Sequence, residues 1–290
     1  MVGSEVQRAL TSRGARVVQL VRRTPAPPSE IRWDPGAALP IAQPDALEGV
    51  SAAIHLSGAS VAAHRWTAAY KREIAASRIG STRSLATTLA GLRRPPHALL
   101  IASATGIYGN RGDEMLDESS APGSGFLAGL CVQWEAAAQP AVDAGIRVVH
   151  LRFGVILGSA PGSALGKMLP IFRLGLGGRL GSGRQWMSWI SLEDAIAAIL
   201  FALDTPALAG PIDVTAPNPV TNADFTRALG RQLHRPTVLP APAFALRFAL
   251  GEMADEALLA SARVFPVRLS GAGFAFMHPT VDQALAAALP

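Results

Sequence analysis

Cysteine is nearly absent from this sequence, which has a single one, Cys131, in 290 residues. One cysteine excludes an intrachain disulfide and a cysteine-based metal cage, and it fits a protein of the reducing cytoplasm. The six histidines show neither HxxxH nor HxH spacing. The residue pattern therefore predicts no metal site.

Lysine is also scarce, with two residues against 24 arginines in a chain of formal net charge +5. There is no long Lys/Arg run and no basic stripe interleaved with aromatics, so nucleic acid is not an expected partner. The arginine bias is explained more economically by codon composition. No apolar stretch of about 18 residues and no signal-peptide core occurs, which argues against a membrane protein and against export.

The composition, with 49% hydrophobic and 16% charged residues, supports a large core in one large domain or in a domain with an appendage. An apolar run over residues 98–102 predicts a strand buried on both faces. Hydroxyl residues and glycines follow it, at the strand end where an open α/β sheet binds ligands. We therefore expect the reaction centre here, with Ser103, Thr105 and Tyr108 as candidate catalytic residues and Ser103 also as a candidate cofactor-binding residue.

The beginning of the chain has the pattern of half a nucleotide-binding unit. Apolar residues at 2, 6, 9 and 10 predict a helix that ends near Gly14, and residues 16–21 predict a strand. A helix, a glycine turn and a strand form the second half of a βαβ unit, in which phosphates rest on a glycine-rich turn before the helix. Gly3 is the candidate for the last glycine of that turn, and the unit's first strand is missing.

Two arginines bear on the choice of cofactor. Arg22 follows Gly3 by 19 residues, near the position where such units place an acidic residue on a ribose 2′-hydroxyl. A guanidinium suits a 2′-phosphate instead, so Arg22 and Arg23 favour NADP(H) over NAD(H). The alternative is that both arginines simply end a strand in solvent.

Further segments line the same predicted cleft. A predicted strand over residues 50–59 ends in Leu56, Ser57 and Gly58, where small residues let a cofactor approach the backbone. Arg152 ends a predicted strand over 146–154 and either contacts cofactor or substrate or forms a structural salt bridge. The remaining predicted elements are a strand over 31–35, helices over 65–92, 126–144, 195–203, 221–233, 244–250 and 256–264, strands over 186–190, 211–215 and 273–276, and a last helix capped by Thr280.

Several short motifs together resemble the atypical extended short-chain dehydrogenase/reductase group called epimerase family proteins. The motifs are Arg65-Trp66-Thr67, Ser77-Arg78-Ile79, residues 103–109, Gly112-Asp113-Glu114, Phe126-Leu127-Ala128, Cys131, Trp134-Glu135, residues 151–158, Gly175-Leu176-Gly177-Gly178, Ser188-Trp189-Ile190, residues 215–222 and Gly273-Phe274.

The resemblance implies a Rossmann-like, doubly wound parallel sheet with a small α+β C-terminal domain on the substrate side. Residues 1–235 would form the NAD(P)-binding epimerase/dehydratase domain, with 155–185 partly on the substrate side, and residues 236–290 the small domain. Members of the group begin with a strand and a GxxGxxG turn, of which only Gly3 is present here. Either the assigned start lies downstream of the true one, which is the favoured explanation, or the protein lacks its central strand.

The resemblance also shows where the usual chemistry is missing. Short-chain dehydrogenases use a YxxxK dyad and a nearby hydroxyl, and the matching positions here are Leu127, Cys131 and Ala104. Tyr108 is either a proton donor or a residue that lines the substrate pocket. Asp113 and Glu114 fit a solvated turn better than a catalytic pair.

Two functions remain open at this stage. The first is an NADP(H)-dependent oxidoreductase or epimerase, cytoplasmic, that acts on a small or nucleotide-linked substrate through a relay other than YxxxK. The second is a catalytically inactive protein that binds the dinucleotide and regulates a partner. Glycines and arginines over residues 173–185 could hold a nucleotide diphosphate or be a flexible connector. A homo-oligomer is possible.

Overall fold

The computed structural model describes residues 1–37 and 40–289 of the chain. The α-helices are Val2–Ser12 (α1), Ala68–Ala75 (α2), Ser81–Ala90 (α3), Phe126–Ala136 (α4), Gln139–Asp143 (α5), Ala164–Arg173 (α6), Leu192–Asp204 (α7), Asn222–Leu233 (α8), Ala243–Leu250 (α9), Val267–Gly271 (α10) and Val281–Ala288 (α11). Short 3₁₀ helices span Pro44–Leu47 and Thr105–Tyr108, and π-helical turns span Ala76–Gly80 and Ala254–Leu258.

The strands are mostly short. They are Gln19–Val21 (β1), Glu30–Arg32 (β2), Ala52–His55 (β3), Ala98–Ala104 (β4), Met115–Leu116 (β5), Arg147–Phe153 (β6), Val155–Leu157 (β7), Trp186–Met187 (β8), Trp189–Ser191 (β9), Gly210–Val214 (β10), Val220–Thr221 (β11) and Arg263–Val264 (β12).

The central sheet has the strand order β10-β6-β4-β3, and every pairing in it is parallel. β4 is apolar on both faces because helices cover both sides of the sheet. Leu99 and Ile101 pack with Leu89 and Trp134 on one side, whereas Leu100 packs with residues of α1 and α7 on the other. This two-sided burial confirms the predicted doubly wound α/β sheet.

The parallel sheet is divided into two parts. β1 and β2 pair with each other in parallel, in a two-stranded sheet separate from the central one. Val18 and Leu20 still pack in the same apolar cluster as Val50 and Ala53, so side chains connect the two sheets without a strand between them.

Two predicted helices are interrupted. The helix predicted over residues 65–92 consists of α2 and α3 with the π-helical turn Ala76–Gly80 between them. The Ser81 hydroxyl donates to the backbone carbonyls of Ser77 and Arg78 here, and side chains that bond to the backbone compete with the regular helical ladder. The helix predicted over 126–144 is likewise divided into α4 and α5.

Two predictions near the C-terminus are wrong. Residues 256–264 form the end of a π-helical turn and then β12, which pairs with β5, instead of a helix. The strand predicted over 273–276 does not form. The rings of Phe274 and Phe276, both half-buried, pack edge to face, and Phe274 packs on Phe201 of α7, so one of the alternating aromatics contacts a helix instead of a neighbouring strand.

Other capping predictions are confirmed. The Thr221 hydroxyl accepts the amide of Asp224 at the start of α8, and Thr280 and Gln283 form a capping box at the start of α11. Across residues 1–37 and 40–289, none of the helices has both the length and the apolar character needed to cross a membrane.

Candidate functional site

Polar side chains from three neighbouring strands lie side by side at the carboxyl edge of the central sheet. In the strand register, Ser103 of β4 is opposite Arg152 of β6, and Arg152 is opposite Asp213 of β10. Ser103, Arg152 and Asp213 are 3%, 7% and 0% exposed. A hydroxyl, a guanidinium and a carboxyl therefore form a buried polar row below the edge where ligands bind in such sheets.

Glu135 of α4 connects the first two members of this row. The Ser103 hydroxyl donates to Glu135 Oε1 at 2.7 Å, and Arg152 donates to both carboxylate oxygens from Nε and Nη2 at 2.9 Å each. Burial opposes ionisation of Glu135, but the hydrogen bonds and charge of Arg152 outweigh it and lower its pKa. Of the two roles left open for Arg152, the bidentate geometry favours the structural salt bridge.

Tyr108 connects the other two members. Its hydroxyl accepts from Arg152 Nη1 at 3.0 Å and donates to the Asp213 carboxyl at 2.8 Å. Burial, and then the neighbouring Glu118, raise the pKa of Asp213 well above its ordinary value. Burial and Asp213 also raise the pKa of Tyr108. A fully buried tyrosine with a raised pKa is poorly suited to donate a proton to a ligand.

The three candidate catalytic hydroxyls therefore differ in accessibility. Ser103 and Tyr108 are buried and hydrogen-bonded, whereas Thr105 is partly exposed at the first position of the 3₁₀ helix that follows β4. Within the part of the chain that the structure describes, the Thr105 hydroxyl forms no hydrogen bond. Leu127 and Cys131 lie on the neighbouring face of α4. A Cβ built on Gly106, the residue after Thr105, would lie 3.5 Å from Cβ of Leu127.

The start of α1 forms another part of the same edge. Helices that cross back over a parallel sheet begin at the carboxyl ends of its strands. The first backbone bond of α1 is from the Glu5 amide to the Met1 carbonyl, so the three amides of residues 2–4 have no partner in the helix, and no side chain caps them. Gly3 is exposed, and a Cβ on it would meet nothing within 4 Å. These amides are free to bind an anion.

The two candidate arginines after β1 have different surroundings. Arg23 donates to Glu30 Oε2 at 2.7 Å and to Oε1, so a carboxylate already occupies its guanidinium. Arg22 is exposed and forms no ion pair with any residue that the structure describes. Arg22 is thus the freer of the two for an anionic ligand.

Small residues follow β3 as predicted, but the Arg78 guanidinium fills the space above Gly58. Ser57 and Gly58 are exposed, and Leu56 is partly buried. A Cβ built on Gly58 would lie 3.1 Å from Cζ of Arg78, so the guanidinium lies directly on this glycine. His55, at the end of the strand, contacts Ser81 and Ser57 through its two ring nitrogens, and burial lowers its pKa to about 4.

Three residues of the site were not among the candidates. Asp213 and Glu118 were missed, and Arg78 was noted only as part of a motif. An acidic residue between Ile212 and Val214 in a buried strand was a usable signal, because carboxylates are almost never fully buried without a partner. No comparable signal marks Glu118, whose side chain accepts the Asp213 amide at 2.9 Å from an irregular segment.

Comparison with known proteins defines the family. Residues 1–214 match the NAD dependent epimerase/dehydratase family, and residues 241–288 match a domain of unknown function, DUF1731. The chain belongs to the NAD-dependent epimerase/dehydratase family. This epimerase-family chain is 46% identical over 285 residues to epimerase family protein Mb2239 of Mycobacterium bovis, covering 98% of this chain and 93% of that protein.

Two solved structures are similar to this epimerase-family chain over its whole length. Human epimerase family protein SDR39U1, solved with NADPH, has a TM-score of 0.90 and 31% identity, covering 100% of this chain and 96% of that one. The nucleoside-diphosphate sugar epimerase from Corynebacterium glutamicum has a TM-score of 0.80 and 35% identity, covering 100% of this chain and 56% of that one. The family resemblance and the Rossmann-like fold predicted from the sequence are confirmed.

Proposed function

We propose that this protein binds NADP(H) and acts as an oxidoreductase or nucleotide-sugar-epimerase-like enzyme whose proton relay does not use YxxxK. The observation that carries the proposal is the exposed Gly3 in the first turn of α1, where open space lets the pyrophosphate of a dinucleotide approach the backbone amides. The similarity to a human relative solved with NADPH supports it. A cytoplasmic location and a homo-oligomer remain predictions.

Arg22 is the residue that we assign to cofactor selection. It is exposed directly after β1, and a free guanidinium suits a 2′-phosphate better than a 2′-hydroxyl. Arg23 is less available to the cofactor, because its guanidinium is paired with the Glu30 carboxylate. NADP(H) is therefore the proposed cofactor, and NAD(H) the less favoured one.

The proposed proton handling depends on Thr105. Bound NADP(H) would supply hydride transfer at the nicotinamide C4. Thr105 presents the accessible hydroxyl at the end of β4, where it can hold a proton at Oγ1 beside the substrate. Ser103 and Tyr108 are less available for this role, since both are bonded into the buried network with Glu135 and Arg152.

For the substrate, we propose a small or nucleotide-linked molecule. A cavity of about 360 Å³ lies between the loop before β8, the start of α8 and residues 237–240, and Arg179 and Arg227 line it. Among the described residues, the Arg179 guanidinium donates only to the Ser182 carbonyl, at 3.5 Å, which leaves it available for an anionic group. The name of the Corynebacterium relative, a nucleoside-diphosphate sugar epimerase, supports this class of substrate.

The test is cofactor binding by the 290-residue chain, measured by isothermal titration calorimetry with NADPH and NADH. We expect tighter binding of NADPH, and we expect Arg22→Asp to weaken NADPH more than NADH. Arg16→Asp is the matched control, because Arg16 is exposed before β1, at the amino end of that strand. Equal losses of both cofactors would contradict the role of Arg22.

The proposed enzymatic activity requires a second measurement. NADPH carrying deuterium at C4 is incubated with the protein and a panel of carbonyl compounds, and in a parallel experiment NADP+ is incubated with the protein and nucleotide sugars that carry deuterium on their carbinol carbons. Exchange of the label between cofactor and substrate is followed by mass spectrometry. Exchange with any substrate supports an enzyme. Tight NADPH binding without exchange under any condition would instead favour the catalytically inactive regulator.

A further inference from the structure

Exposed apolar side chains are concentrated on two adjoining segments of the chain. Of the thirteen large hydrophobic residues that are exposed in the described part of the chain, six lie within residues 174–176 and 238–248. Phe244 and Phe248, one turn apart on α9, are 74% and 85% exposed. Such a concentration marks an interaction surface, whereas single exposed apolar residues need no explanation. The six residues, called the apolar patch below, are Leu174, Leu176, Val238, Leu239, Phe244 and Phe248.

Backbone contacts hold the two segments side by side. The Ala241 amide donates to the Arg179 carbonyl at 2.9 Å. A Cβ built on Gly178 would lie 1.7 Å from the Leu239 carbonyl oxygen, so only a glycine permits this close approach of the two backbones. α9 begins two residues after Ala241, at Ala243. The apolar patch therefore belongs to one region of the protein surface.

The positive charge of the protein is concentrated in the same region. Residues 164–192 and 225–251 contain eight lysines and arginines and no aspartate or glutamate. The whole chain has 26 basic and 21 acidic residues, so the residues outside these two stretches include more acidic than basic ones. A partner with negative charge is therefore favoured at the apolar patch.

Most of these eight cations have no acidic partner. Three of them, on α8 and α9, form exposed salt bridges with aspartates. Within residues 1–37 and 40–289, the other five are exposed and form no salt bridge. These five are Lys167, Arg173, Arg179, Arg184 and Arg235. They can contact anionic groups of a partner without first breaking an ion pair.

These features favour a membrane surface over a second copy of the chain. In a symmetric contact the patch would meet itself, and the unpaired cations of the two copies would repel each other. A leaflet with anionic lipids has a negative surface potential and an apolar layer just below the headgroups, so it accepts both the cations and the protruding phenylalanines. α9 has eight residues, far fewer than a bilayer-spanning helix needs, so the contact is with the surface.

We propose that the apolar patch and its unpaired cations dock the protein onto a membrane surface that contains anionic phospholipids. Phe244 and Phe248 enter the layer between headgroups and acyl chains, α9 lies in the plane of the interface, and the cations contact lipid phosphates. The proposal does not depend on NADP(H) binding. It gives a role to part of the domain of unknown function, because α9 lies within residues 241–288.

The test is flotation of the 290-residue protein with vesicles of phosphatidylcholine alone or of equal parts phosphatidylcholine and phosphatidylserine. We expect the wild type to bind the anionic vesicles at low salt and to bind them more weakly at high salt, because salt screens the attraction. Phe244→Ser with Phe248→Ser, and Arg173→Gln with Arg179→Gln, should each weaken this binding by about tenfold.

Matched controls carry the same kinds of change outside the patch. Arg16→Gln with Arg32→Gln removes two exposed positive charges, and Met115→Ser with Val142→Ser removes two exposed apolar side chains. Both control variants should bind the anionic vesicles as the wild type does. Circular dichroism and the melting temperature establish that each variant folds.

Three outcomes would overturn the proposal. The first is a wild type that does not bind anionic vesicles at low salt, or a folded variant with both phenylalanines replaced that binds as tightly as the wild type. The second is a wild-type dimer that binds no vesicles and becomes a monomer when both phenylalanines are replaced, measured by light scattering, which would make the patch an interface between copies. The third is binding to a synthetic amphipathic peptide of leucine and glutamate but not to vesicles, which would assign the patch to an acidic protein partner.

Discussion

Three hydroxyls near the end of β4 have different environments, and this difference separates structural from chemical roles. The Tyr108 hydroxyl lies between a guanidinium and a carboxyl at 0% exposure, whereas Thr105 is partly exposed. A buried hydroxyl with two polar partners contributes to stability, since its removal leaves both partners short of a hydrogen bond. An exposed hydroxyl without a partner contributes little to stability and is free to act on a ligand.

We therefore expect Tyr108→Phe to lower the free energy of unfolding by about 1–3 kcal/mol, because Arg152 and Asp213 each lose a buried partner. Urea denaturation at pH 7 measures this, and the NADPH dissociation constant should stay within twofold of the wild type. Thr105→Val should show the opposite pattern. Its free energy of unfolding should be unchanged, and its exchange of deuterium from C4 of labelled NADPH should be reduced. A Tyr108→Phe variant as stable as the wild type would show that the network is not structural.

Among the elements, a buried carboxylate connects α7 to the segment before α11. Asp194 is 0% exposed, and it accepts the amides of Met277 at 2.7 Å and His278 at 2.9 Å. Its own amide donates to the Ser191 hydroxyl, which caps α7. Asp194 thus connects the start of one helix to a segment more than 80 residues later, which has no strand pairing of its own.

Asp194→Asn should weaken this connection. The amide nitrogen of asparagine is a donor, so one of the two backbone amides would face it without an acceptor, and we expect a loss of about 1–3 kcal/mol in unfolding free energy. Hydrogen exchange followed by mass spectrometry should show faster exchange in residues 277–288. Asp204→Asn is the control, because within residues 1–37 and 40–289 the Asp204 side chain pairs only with Arg13, in an exposed salt bridge. Equal exchange in both variants would refute the assigned role of Asp194.

Elements could be predicted from the sequence where local pattern and tertiary packing agree. β4 and β6 are continuous apolar runs in the interior of a sheet, and Thr221 and Thr280 are caps whose partners lie three residues away. Residues 273–276 have the alternation of a strand, but a strand requires a partner to pair with. The ring of Phe274 packs on α7 instead, a contact that no local pattern contains.

At the scale of the whole molecule, the site could also be predicted only in those parts that depend on local sequence pattern. The carboxyl edge of the sheet could be located from the sequence because each strand end carries small or hydroxyl residues. The buried row could not, because it depends on the register that places Ser103, Arg152 and Asp213 on three adjacent strands. The position of Arg78 over Gly58 likewise depends on how the π-helical turn orients its side chain.

Buried titratable groups also make the stability of the whole molecule depend on pH. Burial lowers the pKa of His55 to about 4 and also lowers that of His150, so the folded state takes up fewer protons than the unfolded state below pH 6.5. Stability from these histidines is present at pH 7 and is lost as the pH falls. Asp213 acts in the opposite direction, because its pKa is raised and the folded state keeps a proton that the unfolded state releases.

Comparison of variants separates these contributions. Each pKa unit corresponds to about 1.4 kcal/mol, so His55 should account for a loss of about 2 kcal/mol in unfolding free energy between pH 7 and pH 5. His55→Asn should reduce this dependence by that amount in urea titrations at the two pH values, whatever its effect on the stability at each single pH. His97→Asn, at an exposed position, should leave the dependence unchanged. If the unfolding free energy of His55→Asn depends on pH as steeply as that of the wild type, the assigned contribution of His55 is wrong. The dependence must then come from other groups such as His150.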